Sequence, residues 1–208
     1  MRTKKRASVQ SEPTFIEAAR KAQIIESALN VIGELGFANA SLAAIARHAG
    51  ISKGVIGYYF ATKDDLIRAA MDHFYGSGHI AMMAELDKAK TPVELLHKYI
   101  HSNLEFISNN RAGAQAIGEI VSNFRAPDGT LFYKIQDTEP LIAGTEAMFI
   151  WGQQTGDFRA FDTRVMAVTL RAAVDSFGTQ LVANPDLDVA AYANELAGLF
   201  LHAARNTK

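Results

Sequence analysis

Residues 41–60, SLAAIARHAGISKGVIGYYF, constrain the chain more than any other stretch. Leu42, Ile45, Ala46 and Ala49 recur at the three- and four-residue intervals that put side chains on one face of a helix. Ser41 stands where an N-cap belongs and Gly50 where the helix must end. Ser52 then opens a second short helix, in which Ile56 and Phe60, four apart, turn inward. Helices this short cannot cover their own apolar faces. The third element is supplied upstream, where Ile24, Ala28, Val31, Ile32 and Leu35 form a helical stripe that Gly36 closes. The three together predict a helix-turn-helix unit.

Residues 53–63 are odd for a helix pair meant only to pack. Gly54 and Gly57 each cost a helix about 1 kcal/mol against Ala. Tyr58, Tyr59 and Phe60 follow in a row. Lys63 falls at the start of the next helix, the unfavourable end for a cation. A bound duplex accounts for all three. Glycines let another backbone approach closely. Tyrosine hydroxyls donate to phosphate oxygens. A phosphate at a helix start offsets the misplaced lysine. An ordinary tight helix pair with solvated aromatics is the plainer alternative.

Charge agrees with the first reading. Residues 1–60 hold eight Lys+Arg against four Asp+Glu, whereas residues 61–208 hold 13 against 18. A basic head on an acidic body suits a polyanionic partner. Four of those eight cations, Arg2, Lys4, Lys5 and Arg6, lie in residues 1–14, which read as a flexible basic arm. The chain of 208 residues has no cysteine. Disulfides and thiolate sites are therefore excluded. No apolar run reaches the 18 or so residues that span a bilayer, and no signal peptide is evident, so a cytoplasmic location is expected.

Beyond residue 60 every periodic segment is helical. Helices are expected over 63–88, with a possible disturbance at Gly76 and Gly78, and over 92–109, 111–124, 140–155, 164–182 and 189–204. Thr62 with Asp65 makes a capping box for the first of these. No segment alternates with period two, so the fold class is all-α with about nine helices.

The stretch ASLAAIARHAGISKGVIGYYFATKDDLI resembles the N-terminal signature of the TetR family of transcriptional repressors. The match runs through Ile45-Ala46, Ala49-Gly50-Ile51-Ser52, Lys53-Gly54, the Tyr-Tyr-Phe run and Lys63-Asp64-Asp65-Leu66. KGVIGYYF is most similar to the choline-responsive, BetI-like subgroup. The resemblance implies a homodimer that binds a pseudo-palindromic operator in double-stranded DNA and is released by a small-molecule effector. It divides the chain into an arm (1–14), a helix-turn-helix DNA-binding domain (15–62) and a ligand-binding and dimerisation domain (63–208). The expected DNA-binding residues are Ser41, Ser52, Lys53, Gly54, Val55, Gly57, Tyr58, Tyr59 and Lys63. Two departures stand out. Many members have an aromatic at the position of Gly57, and Ala43 and Ala44 occupy positions where some members carry longer polar residues.

In the C-terminal part, polar groups interrupting apolar stripes are the ligand candidates, because buried polar groups need partners. These are Asn103, Glu119 and Asp175, with Phe106, Phe149 and Trp151 as apolar walls. Another side chain or water is the alternative partner for the polar groups, and a plain core role the alternative for the aromatics. Leu170, Val174, Phe177 and Leu181 on one helix, and Tyr192, Leu196, Leu199 and Phe200 on the next, are the expected dimer interface of a four-helix bundle. Packing within the monomer is again the alternative. His97 and His101 have the spacing of a metal pair but lack the glutamate of a metalloprotease motif. No nucleophile elbow or phosphate loop occurs, so neither catalysis, metal nor cofactor is expected. The competing function is a helical small-molecule sensor or carrier that no longer binds a specific operator.

Overall fold

The computed structural model describes residues 15–206, apart from the side chain of Ile135. The expected basic arm, 1–14, lies outside the described residues. The described chain is all-α: α1 (Phe15–Leu35), α2 (Leu42–His48), α3 (Lys53–Tyr59), α4 (Lys63–Leu86), α5 (Pro92–Asn109), α6 (Arg111–Asn123), α7 (Glu139–Thr155), α8 (Thr163–Ala183) and α9 (Val189–Ala204), with a 3-10 turn at Ile135–Thr138 before α7. No strand occurs among the described residues, only isolated bridges.

The helix starts are written locally. Ser41 Oγ accepts from the Ala44 amide at 3.1 Å. Thr62 and Asp65 complete the capping box, each side chain accepting from the other's backbone amide at 3.1 Å. Thr91 caps α5, with Pro92 in its first turn, and Asp162 and Asp188 cap α8 and α9. Ser52 occupies the N-cap of α3, but its hydroxyl makes no capping bond. Between α2 and α3 the chain turns at Gly50, whose φ of +66° a side chain would resist. The Gln23 amide of α1 donates to the Ala49 carbonyl at 3.0 Å and ties this turn to α1.

Two buried clusters result. The first joins Ile24, Ile32, Ile45, Ile56 and Phe60 of the head to Leu66, Ile67 and Phe74 of α4 and to Ile120 of α6. The second collects α5, α7, α8 and α9 around Leu96, Leu104, Phe149 and Phe177. α1 lies directly along α6, so closely that a Cβ on Gly33 would run into the Ala112 carbonyl. α4 runs unbroken through Gly76 and Gly78. Gly78 has a packing reason, since a Cβ there would stand 2.9 Å from the Phe106 ring.

The second cluster takes in most of the side chains expected at a dimer interface. Leu170, Val174 and Phe177 are fully buried within the monomer, and Leu181 nearly so. Leu196 and Phe200 of α9 belong to the same core, and Tyr192 packs against Phe177 with ring centroids 5.1 Å apart. These side chains pack mostly within α5, α8 and α9 of their own chain, the alternative to a dimer contact, with Tyr192 half-buried. Of the eight, only Leu199 stays largely exposed, at 65%.

Candidate nucleic-acid interface and ligand cavity

α3 turns Ile56 into the head core and leaves Ser52, Lys53, Gly54, Gly57 and Tyr58 exposed, with Val55 and Tyr59 half-buried at its edges. Tyr58 is 75% exposed and meets Tyr59 edge-on at 5.0 Å. The two glycines are not needed by the chain's own packing. A Cβ on Gly57 would meet nothing within 4 Å, and one on Gly54 only the Ser52 hydroxyl at 3.7 Å. Gly33, Gly78, Gly113 and Gly152 are crowded by neighbours, whereas Gly76, Gly118, Gly144 and Gly198 are as open as Gly57. Ser41 is exposed beside this face, with its oxygen occupied as the α2 cap. Ala44 is buried, so only Ala43 of that pair faces outward.

Lys63 is held from within the head. Its ammonium lies 3.4 Å from the Phe37 carbonyl and 4.9 Å above the Phe37 ring. Partial burial pulls its pKa below the usual lysine value, and Asp64 opposes this. The cation at the wrong helix end thus has a local partner in the free protein.

Behind α4 lies a cavity of about 130 Å³ lined by Phe74, Tyr75, Gly78, Asn103, Phe106 and Asp175, among others. A second of about 260 Å³, among Met82, Met83, Leu86, Tyr99, Leu141 and Met148, shares His79, Met82, Leu141 and Arg171 with it. Arg171 stands where the two meet, only 8% exposed. Its Nε and Nη2 both donate to Asp175 Oδ1, at 2.9 and 2.5 Å. Its Nη1 donates to the Tyr99 hydroxyl at 3.1 Å and approaches Asn103 Oδ1 at 3.4 Å. Thr145 donates to the same Tyr99 hydroxyl at 3.0 Å. Burial works against the Arg171 charge, and Tyr99 and Asp175 more than offset it. Burial, then the Asp175 carboxylate, pushes the Tyr75 phenol above its ordinary value, with Arg171 opposing.

Of the expected ligand residues, Asn103, Phe106 and Asp175 line this first cavity. Phe149 does not: it is fully buried against Phe158 and Phe161 in the second core. Trp151, two residues on, lines neither cavity. Glu119 is turned to the head, where its Oε2 accepts from the Phe37 amide at 3.0 Å. A backbone donor 82 residues away satisfies it, and it borders only a wider cleft between α6 and α8. Sequence reasoning missed Arg171, Tyr99 and Thr145. The available signal was an arginine one turn before Asp175, beside Leu170 and Val174 of the buried stripe. His97 and His101 stack at 4.1 Å, and no group of three metal-binding side chains occurs among the described residues.

Residues 24–70 match the model of the bacterial regulatory proteins of the tetR family. The HTH-type transcriptional regulator BetI of Proteus mirabilis (strain HI4320) is 48% identical over 58 residues, 28% of this chain and 29% of that one. The match thus spans under a third of the length of that relative. A TetR-like transcriptional regulator from Rhodococcus sp. RHA1 has the same fold, with a TM-score of 0.73 at 23% identity, covering 93% of this chain and 98% of the other. So does the regulator FadR from Bacillus subtilis, solved in complex with stearoyl-CoA, with a TM-score of 0.75 at 22% identity over 86% of this chain and 97% of that one. Residues 24–70 are thus similar to the helix-turn-helix head of the tetR family, with BetI-like similarity, and the described chain shares its fold with solved regulators of that kind.

Proposed function

We propose that the chain is a cytoplasmic, ligand-responsive repressor. It binds a pseudo-palindromic operator as a homodimer and leaves it when a small molecule fills the cavity behind α4. The observation that carries the DNA half is the pair of unforced glycines on the outer face of α3. Each costs helix stability, neither is required by packing, and the two share the exposed face that carries Lys53 and Tyr58, so the room they leave there suits a partner outside the chain. With Lys53 and Val55 beside them, α3 enters a major groove, while Ser41, Ser52, Tyr58, Tyr59 and Lys63 face phosphates. Residues 15–62 act as the reading head, and 63–208 hold the ligand and the partner subunit.

The effector half rests on Asn103, Phe106 and Asp175 lining one cavity. α4 forms a wall of that cavity and starts beside α3, so a ligand that shifts α4 moves the head. Selecting bound duplexes from a random pool tests the DNA half. An inverted repeat with half-sites one helical turn apart, about 34–36 Å, is the expected result. A pool with no enriched sequence overturns operator recognition and leaves a helical sensor or carrier.

A further inference from the structure

Arg171 is more firmly placed than any other charged group around the two cavities. It is 8% exposed, anchored by Tyr99 and Asn103, and surrounded by the core of α5, α7 and α8. A buried guanidinium cannot be left without an anion at small cost. Its anion here is Asp175, whose side chain is 54% exposed. The two partners are therefore unequal. The arginine has nowhere to go, whereas the aspartate is already half in water and needs only a rotation to leave.

The geometry of the pair is also incomplete. Nε and Nη2 both fall on the one oxygen Oδ1. A guanidinium fork is best met by a carboxylate offering one oxygen to each nitrogen. A free carboxylate entering the cavity can do this; an aspartate tethered one turn along the same helix does not. A cation in the same place gains little. The Asp175 charge is already matched, and a second positive charge would lie beside Arg171. The walls suit an apolar body, and on the larger side Met82, Met83 and Met148 are side chains that reshape around varied hydrocarbon.

We propose that this cavity takes a monocarboxylate with an apolar body, whose carboxylate displaces Asp175 from Arg171. Asp175 is then a place-holder that keeps the buried arginine paired until ligand arrives. The inference rests on the reading of this cavity as the effector site, and it names a class opposite in charge to choline, to which the subgroup that KGVIGYYF resembles responds.

Three probes of equal chain length decide it, each kept below its micelle concentration: decanoate, decan-1-ol and decyltrimethylammonium, titrated calorimetrically into the full chain. Decanoate is expected to saturate at one per chain and to bind about tenfold or more tighter than the alcohol, with the cation weakest. Asp175→Asn removes the internal competitor while keeping an acceptor oxygen. It is expected to tighten decanoate by about threefold or more and to leave decan-1-ol unchanged. Preference for the cation, equal binding of all three, or no saturable decanoate binding overturns the proposal. So does weaker decanoate binding by a folded Asp175→Asn chain. The comparison of probes on the unaltered chain stands even if the variant does not fold. Because these titrations contain no DNA, a chain that selects an operator but ignores decanoate loses only this inference. One that binds decanoate but selects no duplex loses only operator recognition.

Discussion

Lys63 and Gly57 carry the sharpest tests of the DNA face, because each is a single residue with a rival explanation. Lys63 already has the Phe37 carbonyl and ring as partners. If it also meets phosphate, Lys63→Ala weakens binding to every duplex about equally, since phosphate contacts read no base. The slope of log K against log salt then becomes shallower by roughly 1 per half-site, which anisotropy titrations over a salt series would show. Unchanged affinity and slope would leave Lys63 as a brace for Phe37 alone. Gly57→Leu separates fold from binding in the same way. Nothing lies within 4 Å of a Cβ there, and Leu is the better helix former by about 1 kcal/mol. Urea unfolding should hold or move slightly up while operator binding is lost. Normal binding by this variant would move the DNA surface away from α3.

Helix ends were legible because capping is local. Ser41, Thr62 with Asp65, and Thr91 with Pro92 announce their helices within a few residues, and the structure keeps all three starts. Helix faces were legible only as buried or exposed. The stripe Leu170, Val174, Phe177 and Leu181 is apolar whether it meets a second subunit or α5 and α9 of its own chain, and periodicity cannot tell these apart. Glu119 interrupts an apolar stretch of α6, which signals that it needs a partner, but not that the partner is the Phe37 amide of the head. Its neighbour in space is α1, and the α1–α6 contact is where the head meets the body most closely. Gly33 is its keystone, because the obstacle a Cβ would meet is the Ala112 backbone carbonyl rather than a flexible side chain. Gly33→Ala is therefore expected to cost about 1–3 kcal/mol, the range for overpacking. Gly76→Ala, in open space on α4, should instead stabilise by about 0.5–1 kcal/mol. Urea midpoints of the two variants moving the same way would mean that α6 slides freely on α1.

At the scale of the whole molecule, the proposed release requires that an effector prefer a spacing of the proposed dimer's two heads that fits successive major grooves badly. Linkage then obliges the operator to weaken the effector by the same factor. Both statements need a dimer, and the faces that remain for one are those the monomer leaves open. On α8 these carry Val165 at 61%, Val168 at 43% and Val182 at 51% exposure, and on α9 Leu199 at 65%. Ala172 is exposed on the same helix as the valines, and a Cβ on Gly198 would meet nothing within 4 Å, so a partner helix can approach closely. Leu199→Glu puts a charge into the proposed contact without touching the second core, because Leu199 itself makes no part of it. The variant should fold as before by circular dichroism, yet sediment as a monomer at concentrations where the unaltered chain sediments as a dimer. Its operator affinity should fall steeply, since one head grips one half-site, while decanoate or any other cavity ligand binds as before. If Leu199→Glu stays dimeric and grips the operator normally, the subunits meet through some other surface, and the open faces of α8 and α9 must be explained by a different partner.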